Sequence, residues 1–170
     1  MNKLLAVYRG VCLVNEWAGR VLSFLLLGLA SVLVYEVTAR YVFHSPTHWA
    51  HEMSIFLFGG STVLAGGYVL LHKAHVNLDI LYSRVSPRVQ AILDLATAPF
   101  FFFIMVLLIW KGTDFALNSW RVLETASTIW EPPIYPFKTI IPIAAVLVLL
   151  QGAAKFMRDL FYVIRGSELE

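Results

Sequence analysis

Glu36 and Arg40 stand four residues apart in an otherwise apolar run, the acid first. On a helix that spacing sets the two side chains beside each other in the favourable order. Charged groups inside an apolar span are costly and face a bundle interior or a partner. Two chemistries fit the pair: a proton or ion relay, or an ion pair that fixes how this span meets its neighbour. The second is preferred, because a guanidinium one turn away keeps the carboxylate charged and ill-suited to exchange a proton. The next polar stretch, HSPTHWAHE, holds His44, His48 and His51. Zinc could be drawn from them, but Pro46 interrupts the helical spacing and no cysteine is near, so no metal site is assigned. Trp49 as an interfacial anchor and Glu52 as a first-turn acid explain the segment with less. Glu52 falls at the same membrane face as Arg40, which leaves a pairing between them open. A third polar stretch, HKAHVNLDI over 72–80, follows a long apolar run. In a helical turn Asp79 would accept a hydrogen bond from His75 and pin the loop. No nucleophile or oxyanion donors lie near, so the pair is not a hydrolase site.

The elements that hold these residues follow from composition. The chain is 170 residues long, 59% hydrophobic and only 14% charged, with a mean hydropathy of +0.72. A soluble domain is closer to half apolar and a quarter charged, so this is an all-α membrane protein. The apolar runs are continuous and do not alternate, which points to helices and not to barrel strands. At about 20 residues per span, four spans with their connections fill the length as a single membrane domain. They are expected at about 21–43, 51–71, 87–110 and 137–156. Ser86 and Pro87 suit the start of the third. Trp17, Trp49, Trp110, Trp120 and Trp130 fall near expected span limits. The single cysteine, Cys12, says nothing of redox compartment. A net charge of +2 gives no argument for nucleic acid.

Residues 1–20 carry Asn2, Arg9, Glu16 and Arg20 on one helical face and Leu4, Tyr8, Val11 and Cys12 on the other. Such a pattern predicts an amphipathic helix in the plane of the membrane, followed by an uncleaved first span. Lysines and arginines outside the span cores set the orientation. Nine of them (Lys3, Arg9, Arg20, Lys73, Arg84, Arg88, Lys155, Arg158, Arg165) fall on one side and four (Arg40, Lys111, Arg121, Lys138) on the other. Both termini are therefore expected in the cytoplasm.

Within the spans, Gly59, Thr62 and Gly66 share a face of the second helix, and small residues at this spacing admit another helix closely. A substrate-binding break there would bring polar groups to use the freed carbonyls, and this span has only hydroxyls. Pro99 frees the carbonyl of Leu95 in the third span. Phe100 to Phe103 cover every face and read as lipid or partner contact. Asp94 sits early in that span, where the helix dipole favours an acid. The prolines of WEPPIYP predict an extended, rigid approach to the fourth span.

Taken in order, the TARYVF end of the first span, HWAHE, a glycine-rich span and HKAHVNLDILYSRVSPR resemble the small membrane subunit, DctQ type, of the tripartite ATP-independent periplasmic (TRAP) transporters. The family's tryptophan and acid opening span two fall on Trp49 and Glu52, and its alanine-histidine-valine and aspartate pattern falls on Ala74, His75, Val76 and Asp79. PPIYPFKTIIPIAAVLVLLQG resembles one branch of that family. Two positions depart from the pattern: His51 stands where a second acid is common, and Asn77 where a basic residue is. The resemblance implies a chain with no enzymatic step and no cofactor. It implies a large TRAP membrane subunit as partner, a periplasmic solute-binding protein that delivers an organic acid, sodium-driven import, and a place in the bacterial inner membrane in contact with lipid. Glu36, Arg40, Trp49, Glu52, Gly59, Gly66, His75 and Asp79 are then partner-interface or structural residues. Two rivals stand beside it: a standalone four-span small exporter, and a membrane anchor subunit of a redox complex. A haem subunit needs ligands at facing depths on two helices, and all five histidines lie between His44 and His75.

Overall fold

A computed structural model describes residues 2–72 and 86–165, with side chains described over 10–72 and, apart from position 87, over 86–164. The expected His75–Asp79 pair lies outside the described residues. The elements are α1 (Asn2–Tyr41), α2 (Ala50–Leu64), α3 (Gly66–Leu71), α4 (Pro87–Arg121), α5 (Tyr135–Lys138) and α6 (Ile140–Arg165). Among the described residues four stretches are long and apolar enough to cross a membrane: Gly10–Tyr41, Ala50–Leu71, Arg88–Arg121 and Tyr135–Ile164.

The boundary expected at residue 20 is not present. Helix α1 runs unbroken for 40 residues, about 60 Å at the α-helical rise, roughly twice the hydrocarbon thickness. Its amphipathic first half is held by the other helices. Glu16 meets His72 at 2.9 Å, and buried Asn15 donates to Gln151 Oε1 at 3.1 Å. Helix α4 likewise passes Trp110 and continues to Arg121, through Pro99 without interruption. The segment past Trp110 carries Lys111, Thr113, Asp114, Asn118 and Ser119, which suit a helix emerging from the apolar layer. Span two is interrupted only at Ala65. There the backbone stays in the right-handed helical region, and the Ala65 N–H still reaches Ser61 O at 2.9 Å. Before span four, Pro133 lies in an extended bridge with Thr125, but Tyr135 to Lys138 form a helical turn with Pro136 near its start. The rigid approach is therefore extended only in its first half.

The four spans do not close into a ring. Helix α6 is the hub: it packs most extensively against α4, and also against α3, α2 and α1, while α1 packs mainly against α2. Among the described elements, helix α4 has its substantial contacts with α6 and α5. Accordingly 33% of the apolar window of the last span is buried, against 6% for α1 and for α4. The contacts are made by small residues. Among the described residues, apart from Leu22, the buried hydrophobic residues are alanines, including Ala50, Ala91, Ala144 and Ala154. Lipid tails give bulky side chains no reason to turn inward, so close backbone approach and dispersion hold the helices together.

The glycines show the same principle. A Cβ on Gly152 would enter the Phe101 ring, and one on Gly19 would enter the Tyr68 ring. Gly59 faces Phe137, 3.2 Å from where its Cβ would be, and Gly66 faces Val148 at 2.9 Å. The glycine face of span two is thus covered by α5 and α6 of the same chain. Thr62, expected on that face, is exposed. Phe101 and Phe102 pack inward, with Phe102 edge-on to Phe156 at 5.7 Å, whereas Phe100 and Phe103 remain exposed.

Candidate functional site: paired charges at the ends of the spans

The turn from α1 to α2 is organised by one carboxylate. Glu36 Oε1 accepts from Arg40 Nε at 3.0 Å and from Nη2. Its Oε2 accepts from the backbone N–H of Thr47 at 3.2 Å and from the Thr47 hydroxyl. The expected Glu36–Arg40 pair is present, and it reaches eleven residues on to tie down the loop. His44 adopts a left-handed conformation, φ 51°, and Ser45 returns its N–H to Ala39 O at 3.0 Å. Trp49 stacks on Tyr35, centroids 5.7 Å apart, so the ring joins the two helices across the latch. Arg40 is directed to Glu36 and not to Glu52. One oxygen of Glu52, Oε2, is buried without a hydrogen-bond partner. His44, His48 and His51 are exposed, and no group of three possible metal ligands occurs among the described residues.

A second latch closes the loop between α4 and α5. Glu124 accepts from Lys138 Nζ at 2.5 Å and from Ser119 Oγ at 2.7 Å. These bonds, that from Lys138 first, hold the Glu124 carboxyl below its usual value. Ile134 donates its N–H to Glu124 O, and Ala126 donates to Pro132 O, both at 2.9 Å. Trp120 Nε1 donates to Thr139 Oγ1 at 2.9 Å. The tip of this clamped loop presents Ile129, 82% exposed.

The opposite ends of the spans carry a third set. Asp94 of α4 pairs with Lys155 of α6 at 2.7 Å, and Arg158 pairs with Asp159 at 3.3 Å. Nearby, Asn15 Nδ2 bridges Val11 O and Gln151 Oε1, both at 3.1 Å. A Cβ on Gly67 would collide with the Asn15 amide oxygen, so glycine is needed for α3 to lie so close.

Of the residues singled out from sequence, Glu36, Arg40, Trp49 and Glu52 gather at the α1–α2 end, and Gly59 and Gly66 line helix contacts inside the chain. Sequence reasoning missed Thr47, Glu124, Lys155, Asp159 and the Asn15–Gln151 bond. An asparagine and a glutamine in apolar helices were the available signal. That they meet across 136 residues was not legible.

These ends, and the spans between them, correspond to a known family profile. The family described as tripartite ATP-independent periplasmic transporters, DctQ component, matches residues 29–161, well over half of the chain. Among curated proteins none matches it.

Proposed function

Because the chain belongs to the DctQ family, the small inner-membrane component of TRAP transporters, we propose that it braces the large membrane subunit during sodium-driven import of an organic acid delivered by a periplasmic binding protein. One observation supports a bracing role over a transporting one. Among the described residues four cations are matched by the chain's own carboxylates: Arg40 by Glu36, Lys138 by Glu124, Lys155 by Asp94 and Arg158 by Asp159. Such pairs neutralise one another and fix geometry. No catalytic step is assigned to the chain. The open row of helices adds to this reading, since α1 and α4 each leave broad apolar flanks for lipid or a larger partner.

In this reading both termini are cytoplasmic, and the two latched loops face the periplasm, where Trp49, Glu52 and Ile129 form a rim near the docking binding protein. A reporter active only in the periplasm is expected to work when fused after Glu131 and to be silent at Glu170. Activity at Glu170 would reverse the orientation. For function, the chain is expected to co-purify with a large permease from its native membrane. Vesicles holding both should take up solute on a sodium gradient when the binding protein is supplied, and vesicles holding this chain alone should take up none. Full uptake by the large subunit without this chain would remove the bracing role.

A further inference from the structure

Among the described residues, the acids inside the apolar layer have partners in the chain: Glu16 has His72, Glu36 has Arg40, Asp94 has Lys155 and Asp159 has Arg158. Asp114 lies past Trp110, on the part of α4 that leaves that layer. Glu52 is the exception. It stands three residues after Trp49 on α2, about 4.5 Å deeper than that interfacial ring at the α-helical rise. The residue is half-buried. Its Oε2 is sealed with no hydrogen-bond partner, and its Oε1, which is not sealed, has none either. Arg40, the nearest cation by sequence, is committed to Glu36. Lys111 and Arg121 belong to α4, which makes no substantial contact with α2. An unmatched carboxylate at this depth is costly, and Oε1 is the atom free to be matched.

We propose that the outward face of α2 docks against a transmembrane helix of the large membrane subunit, and that a lysine or arginine of that helix completes Glu52 through Oε1. The inference rests on the bracing role and names the face that performs it. Helix α2 has α1 on one side and α5 and α6 on the other. Between them His51, Ile55, Phe58 and Thr62 stay exposed, at helical spacing that makes them one stripe. Glu52 borders this stripe, one turn before Ile55. The charge chooses the occupant. In a zwitterionic lipid the ammonium lies outside the phosphate, so bringing it below Trp49 would draw an anion toward the acid. A lysine or arginine on a helix carries its cation on an apolar stem and reaches that depth without one. Its N–H groups donate a charge-assisted bond to Oε1, while Ile55 and Phe58 supply apolar contact beneath it. A helix with no cation at that level leaves the acid unmatched, so the pair also fixes the height at which the two subunits meet.

The test is made in native membranes that hold the full chain with its large subunit. With Phe58 replaced by photoreactive benzoylphenylalanine, illumination is expected to cross-link the chain to the large subunit, and the captured peptide is expected to carry a lysine or arginine near its periplasmic end. Glu52→Gln should weaken recovery of the complex roughly tenfold or more, the size of one lost bond to a charged group. Glu52→Lys should weaken it further, and changing the captured basic residue to glutamate should restore recovery with Glu52→Lys. Cross-linking on a chain that keeps Glu52 decides the matter even if the Glu52 variants fail to fold. Capture of lipid or of a second copy of this chain from the Phe58 position would overturn the proposal while the bracing role stands, and so would full recovery of the complex with both Glu52 variants. An unaltered chain recovered without a large subunit would instead remove the bracing role, and this proposal with it.

Discussion

Replacing Gly19 with leucine is expected to separate α1 from span two and to cost the chain about 3 kcal/mol, the upper range for overpacking a close contact. A Cβ at this position would lie 2.6 Å from Tyr68 Cγ. Cγ is the root of the ring, so rotating the far edge away gives no relief and the whole side chain must leave. Tyr68 is itself packed on His72, centroids 4.3 Å apart, and His72 holds Glu16. Expelling the ring therefore loosens the Gly19–Tyr68 contact and, through His72, the bond to Glu16 together. Removing the obstacle should restore the fold: Gly19→Leu combined with Tyr68→Ala should melt well above Gly19→Leu alone. Gly28 is the control on the same helix, because nothing lies within 4 Å of its Cβ position, and Gly28→Leu should shift stability by about 0.5 kcal/mol or less. The measurement is thermal melting of the purified chain in one detergent. Equal melting of Gly19→Leu and Gly28→Leu would refute the contact.

Such contacts mark where sequence reading stopped. Four spans were legible because each is a continuous apolar run bounded by polar residues. Their true lengths were not. Glu16 in the first twenty residues looked like the solvated side of a surface helix, but it binds His72 and the helix simply continues. The same holds beyond Trp110, where polar side chains mark departure from lipid without ending the helix. A small-residue face on Gly59 and Gly66 announces that something approaches closely, and periodicity cannot say what. Here Phe137 and Val148 of the same chain do so. Glu36 and Arg40 were legible as a pair because (i, i+4) spacing is local. The reach to Thr47 depends on the left-handed turn at His44, a conformation that a histidine adopts uncommonly and that no local pattern announced.

That reach sets the expected result at Glu36. As a bare ion pair, Glu36→Ala and Arg40→Ala should be equally harmful, since each leaves one charge unmatched. As a latch, Glu36→Ala should be clearly worse, because it also releases the N–H and hydroxyl of Thr47 and frees the loop that carries Trp49. Thr47→Val should fall between the unaltered chain and Glu36→Ala. The combination of Glu36→Ala with Thr47→Val should cost less than the sum of the two, as expected of groups in one network. Protease cutting between Val42 and Trp49 and recovery of the complex with the large subunit give the order of the variants. Glu36→Gln separates the latch from a relay. An amide oxygen can still accept from Thr47, so the latch should weaken only partly, and assembly and uptake should fall together. Uptake abolished in a fully assembled Glu36→Gln transporter would mean that the carboxylate handles a proton or an ion, and the structural role would then be secondary.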